Sequence, residues 1–141
     1  MPTATLGSIP SDIAAWPNMV LNIINEKRAD AGLRRYKISP LLAQAAQGQA
    51  NDCSSRGYCN HTGSDLSDTI TRIRRTGYTG YVSESWAQAQ DPAGAVALWY
   101  NETPPDDVHR RDLLSNAHTE IGVGIAKAGW GYYFIVDYGN R

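Results

Sequence analysis

The sequence predicts an α+β domain in which helices flank a small antiparallel sheet. Apolar residues recur with the helical period of about 3.6 in four segments between residues 16 and 100, and after residue 119 the period changes to 2. The third observation is size: 141 residues, 42% of them hydrophobic and 19% charged, suit one globular core. Thirteen basic against fourteen acidic residues leave a net charge of −1, which gives no field to gather a polyanion, so no nucleic acid is expected as a partner. The longest strictly apolar run, Ala95 to Tyr100, is far below the roughly 20 residues of a transmembrane helix.

Residues 1–15 carry Pro2, Gly7 and Pro10 without periodicity and read as an N-terminal arm or linker, leaving 16–141 as the single domain. No export signal is visible in the opening residues, as would also hold after its removal. Met19, Val20, Ile23 and Ile24 mark the first helix, with Pro17 in its first turn and Gly32 at its stop. Ser39-Pro40 has the form of an N-cap and N1 proline ahead of a second helix that is rich in alanine and glutamine and ends near Gly57. Leu66, Ile70 and Ile73 predict a third helix before Gly77, and Asp91-Pro92 repeats the cap-and-proline signature ahead of Val96, Trp99 and Tyr100. The stretch holding Asp106, Asp107 and His109 reads as a polar turn around a helix start. Ile121, Val123 and Ile125 then alternate with Glu120, Gly122 and Gly124, and Trp130 to Tyr138 completes a hairpin, with Tyr81 to Trp86 as a third strand.

Cys53 and Cys59 are the only cysteines, and Gly57 between them lets the chain reverse. A disulfide is expected, which places the protein in an oxidising setting outside the cell. Two buried thiols, or a metal role for Cys59 with His61, are the alternatives.

Common catalytic signatures are absent: no nucleophile elbow, Walker loop or zinc-protease helix occurs. Scarcity directs attention instead to three histidines and four glutamates. Glu84 shares a strand face with Val82 and Trp86, where a carboxylate needs a partner or a raised pKa. Glu120 shares a face with Gly122 and Gly124, which predicts open space beside it; the bland alternative is an exposed edge glutamate. His61 and His109 lie in polar segments that also suit plain turns, and His118 is a competing ligand nearer a rim. The paired or clustered arginines 34–35, 72 with 74–75, and 110–111 read as solvated surface.

In order, His61, Glu84, His109 and Glu120 lie within segments that resemble the CAP superfamily of cysteine-rich secretory proteins, venom antigens and pathogenesis-related proteins, in its bacterial SCP-like extracellular branch. The resemblance spans roughly residues 18–140. It rests on the run from Leu21 to Leu33, on Leu42 to Ala50, on His61-Thr-Gly, on Trp99 with Asn101, on His109-Arg110 with Leu113-Leu114, on Thr119 to Gly124 and on Val136 to Gly139. The family's Gly-Glu-Asn reads Ser83-Glu84-Ser85 here. The resemblance implies an α-β-α sandwich and a cavity formed by His61, Glu84, His109 and Glu120, in which His61 and His109 hold a divalent metal, zinc foremost. It implies a secreted protein that presents a cleft to a lipid, glycan or protein. The alternative is metal-assisted hydrolysis of a peptide or ester bond with Glu84 or Glu120 as general base.

Overall fold

Short polar side chains set where most of the helices begin. The computed structural model describes residues 13–141; the proposed arm 1–15 therefore lies almost wholly outside the described residues. A 3₁₀ turn over Ile13–Ala15 leads into α1 (Trp16–Asp30), with Pro17 in its first turn. The Ser39 hydroxyl accepts the Leu42 N–H at 3.3 Å and starts α2 (Pro40–Arg56), which Gly57 stops at φ +83°. Asp68 caps α3 (Thr69–Arg74) and Asp91 caps α4 (Pro92–Tyr100) in the same way, each carboxylate accepting an N–H at 2.8 Å.

Two helices depart from expectation. Leu66 is not part of α3: it sits at φ +70° and is 85% exposed, because Asp65 takes the Ser67 N–H and Leu66 itself turns back onto Gly63. Helix α5 (Val108–Leu113) forms where a polar turn was expected. Its first amides are satisfied from outside the helix, since Glu102 accepts the N–H groups of His109 at 2.9 Å and Arg110 at 3.2 Å.

Four strands form one sheet in the order β1-β3-β4-β2: β1 (Lys37–Ile38), β2 (Tyr81–Ala89), β3 (Glu120–Lys127) and β4 (Tyr132–Asn140). The β3–β4 hairpin and its antiparallel partner β2 follow the alternating pattern, although Trp130 falls in the turn and is exposed. Strand β1 pairs parallel to β3 and was not legible, because two residues carry no period.

Helices cover both faces, giving the α-β-α sandwich. Toward α1, α4 and α5 the strands present Ile121, Val123, Ile125, Phe134, Val136 and Tyr138, which pack with Trp16, Ile24, Trp99 and Leu113 into the main core. Toward α2 the same strands present Glu120, Gly122, Gly124, Ile135 and Asp137, and this face is built on close approach. A Cβ on Gly122 would lie 2.0 Å from the Ala43 nitrogen, and one on Gly124 2.3 Å from the Ala46 carbonyl carbon. The glycines therefore admit the α2 backbone; they leave no open space beside Glu120, contrary to the sequence reading. Gln47 of α2 completes the contact: its amide donates to the Ile125 carbonyl at 2.8 Å and accepts the Ile125 N–H at 3.0 Å, beyond the reach of β1.

Candidate functional site

The loop after α2 delivers His61 to the sheet. Cys53 at the end of α2 is joined to Cys59 by a disulfide, and Gln49, one turn earlier, donates to the Asn60 carbonyl at 2.9 Å. His61 Nδ1 then lies 3.0 Å from Oε1 of Glu84, in the middle of β2. Arg72 of α3 binds the whole assembly. One guanidinium nitrogen donates to the carbonyls of His61 at 2.8 Å and Ser67 at 3.0 Å, while the other lies 3.0 Å from both Glu84 oxygens. Its side chain is only 10% exposed, so Arg72 is not the solvated surface residue expected from the sequence. Thr69 adds a hydroxyl donor to Glu84 at 3.2 Å.

Asp137 stands beside Glu84 in register on β4 and is fully buried. Burial, reinforced by the neighbouring Glu84 charge, pushes the Asp137 carboxyl well above its ordinary range, so Asp137 keeps its proton and offers it to the Glu84 carboxylate. Burial also acts to raise Glu84, but donation from His61 and Asp137 and the Arg72 charge outweigh it and hold that carboxylate below its usual value. The sequence reading thus identified Glu84 correctly as a buried carboxylate in need of partners; the acid with the raised pKa is its neighbour, which nothing in the sequence had singled out.

The other predicted residues are distributed differently. Glu120 shares the α2 face but has its own partners, the Tyr78 hydroxyl at 2.7 Å and Arg141 at 3.9 Å. His109 comes from α5, whose Leu113 packs into the core on the other face of the sheet, and its Nδ1 lies 2.6 Å from Glu102. Glu102 was passed over in the sequence; its signal was its place one residue past Asn101 and seven before His109, close enough to bond back onto the start of α5. His118, taken from sequence as a rim residue, is 3% exposed, with Nε2 3.1 Å from the Ser83 hydroxyl.

A cavity of about 280 Å³ opens beside the His61 loop, lined by Gln49, Asp52, Ser64, Asp65, Arg72 and Arg75 among others, and a second of about 210 Å³ adjoins it through Gly48, Gln49, Arg72 and Arg75. Neither is lined by His61 or Glu84, so Arg72 is the link between the charged cluster and the open space. Buried atoms of the lining residues without a hydrogen-bond partner include the Gln49 carbonyl oxygen and Arg72 Nε. Hydrogen bonds from Ser67 and Arg75 hold Asp65 below its ordinary pKa, so it faces the cavity as a carboxylate.

The sequence matches the cysteine-rich secretory protein family, CAP, over residues 21–138. The chain belongs to the CAP family. A relative, YkwD of Bacillus subtilis strain 168, is 27% identical over 137 residues, 94% of this chain and 52% of the relative, so the chain spans about half the length of that curated relative. Among solved structures, an extracellular SCP-domain protein of Bacillus anthracis superposes with a TM-score of 0.81 at 20% identity, over 96% of this chain and 45% of the other. An outer surface protein of Borrelia burgdorferi gives 0.76 at 21% identity, over 94% of this chain and 96% of the other. These likenesses confirm the fold class. Among the described residues, no helix of this CAP domain is long and apolar enough to cross a membrane.

The family resemblance implies a divalent ion shared by His61 and His109, and the glutamate contacts fall on Nδ1 of each ring, so Nε2 of each is the nitrogen left for an ion. Each histidine is engaged with a glutamate of its own, His61 with Glu84 and His109 with Glu102, and both Glu84 oxygens already face the Arg72 guanidinium. Among the described residues, no group of three or more histidine, cysteine or acidic side chains is arranged for an ion. Cys59, in a disulfide, offers no thiolate to an ion either.

Proposed function

We propose that this CAP domain is an extracellular recognition module whose α2-side cleft takes a polar, hydroxyl-rich ligand: a glycan chain rather than a lipid or a protein surface. The observation that supports this is a set of unsatisfied buried groups in the lining, among them an acceptor on Gln49 and a donor on Arg72, within a wall that also carries Asp52, Asp65 and Arg75. Sugar hydroxyls donate and accept at once and so suit a wall that mixes both roles, whereas an acyl chain would leave those groups unpaired. The disulfide and the likeness to bacterial extracellular and outer surface proteins support secretion.

Hydrolysis has weaker support, because Glu84 is held by Arg72 and Glu120 by Tyr78, which leaves neither positioned as a free base. Calorimetric titration with soluble glucan and N-acetylglucosamine oligomers tests the proposal, with Arg75→Ala and Asp52→Ala as cleft variants. Saturable binding to one of these, weakened about tenfold in either variant, is expected. Binding that is absent for every oligomer, or unchanged from wild type in both variants, overturns it.

A further inference from the structure

A further cavity, of about 290 Å³, lies away from the cleft, between the end of α1 and the start of β3, and is lined by Arg28, Arg34, Asn116, His118 and Thr119. Its chemistry is dominated by donors. Arg28 is 2% exposed, and its guanidinium lies 3.7 Å from the centre of the Tyr36 ring, donating to the carbonyls of Arg34 at 2.7 Å, Leu113 at 3.0 Å and Ser115 at 2.9 Å. No described carboxylate forms an ion pair with it. A buried guanidinium without a counter-charge is a costly arrangement, and its position on a cavity wall leaves the counter-charge to come from outside the chain.

His118 supplies the second, independent observation. The ring is stacked on Tyr81 at 5.2 Å and packed against Tyr138 at 5.4 Å, and the Ser83 hydroxyl engages Nε2. That leaves Nδ1 buried and unpartnered, as is Thr119 Oγ1 beside it. When Ser83 donates to Nε2, Nδ1 carries the proton and is a donor. The one carboxylate near the ring, Asp112, is 3.8 Å from Nε2, not Nδ1.

We propose that this cavity binds a small oxyanion, a phosphate or carboxylate group, held by Arg28, Arg34 and the Nδ1–H of His118. The site stands apart from the glycan cleft: His118 and Ser83 lie on the side of the sheet away from Glu84. Two charged guanidinium groups, the His118 Nδ1–H and the unpartnered Thr119 hydroxyl suit an oxygen-rich anion.

Nitrogen-detected NMR titration of the chain with inorganic phosphate, and separately with acetate, at constant ionic strength in chloride, reads the site directly through the His118 imidazole resonances. Saturable shifts of those resonances with at least one anion are expected, and the tighter of the two identifies a phosphoryl or a carboxylate source. Arg34→Ala should weaken binding about tenfold. This variant keeps the fold, because the side chain is exposed and Arg28 uses only the Arg34 carbonyl. Lys127→Ala, at an exposed position on the end of β3, serves as the charge control. Linear, non-saturating drift with both anions overturns the proposal, as does equal weakening in Arg34→Ala and Lys127→Ala.

Discussion

The two faces of the sheet bury comparable stretches of strand by opposite means. On the α1 side, Val123, Ile125, Phe134 and Val136 fill the space with side chains, and Trp99 crosses from α4 to donate its indole N–H to the Trp86 carbonyl at 3.2 Å. On the α2 side, Gly122 and Gly124 remove side chains so that helix and strand backbones touch, and a charged cluster of Arg72, Glu84 and Asp137 occupies the ground that apolar packing leaves. The first face is a tolerant core, in which a lost atom leaves a void. The second is a fitted contact, in which an added atom has nowhere to go. Close backbone packing also explains why the polar site lies here: α2 presses on β3, and the loop that follows it projects toward β2, bringing His61 to Glu84.

The comparison breaks most readily at Gly122. Gly122→Val forces a side chain into the α2 backbone and should cost more than about 4 kcal/mol, the upper range for a single substitution, in urea unfolding. A folded variant of near-normal stability would show that the helix does not sit on the glycines. On the opposite face Trp99→Ala should cost about 3–4 kcal/mol through a cavity and an orphaned carbonyl, yet leave a folded domain. If it proves more damaging than Gly122→Val, the assignment of tolerant and fitted faces is reversed.

Replacing both cysteines with serine should cost about 2 kcal/mol on the chain-entropy account of a short loop and broaden the His61 resonances, since the disulfide leads directly into that loop. A smaller effect sharpens the polar side. Asp137 is raised in the native state, so between its ordinary 3.8 and the native value the folded protein binds more protons than the unfolded chain, and stability falls as pH rises. Glu84 has the opposite sign: its contribution is present above its ordinary 4.5 and is lost as pH drops through the native value. Asp137→Asn retains a donor toward Glu84 without the proton uptake. It should gain about 1 kcal/mol near neutral pH, with the gain vanishing in acid, as read by thermal unfolding across pH. A constant difference at every pH would mean that Asp137 is ionised in the native state. The smallest expected effect is that of chelation: EDTA should leave the unfolding midpoint unchanged, whereas a fall in the midpoint would reveal a structural metal.

Sequence periodicity and caps located most of the scaffold, because Ser39 and Asp91 act within one turn of themselves and β3 and β4 alternate over eight or nine residues. Glu84 was legible for a similar reason: a lone carboxylate between Val82 and Trp86 on a strand needs partners wherever the strand lies. What covers a strand face is a different kind of question. Gly122 and Gly124 read equally well as open space or as close approach, and only the position of α2 decides between them. Arg72, among neighbouring arginines, looked like surface; it became the centre of the site because α3 lies against β2. His109 was grouped with His61 and Glu120 by the order of motifs along the chain, whereas its ring meets Glu102, from the turn between α4 and α5. The sequence by itself determined most of the elements, the fold class and the burial of Glu84, since those follow from local backbone chemistry and strand alternation. The tertiary structure alone decided which charged groups meet, because contacts between residues far apart in the chain depend on how helices settle on the sheet, and local pattern carries no record of that.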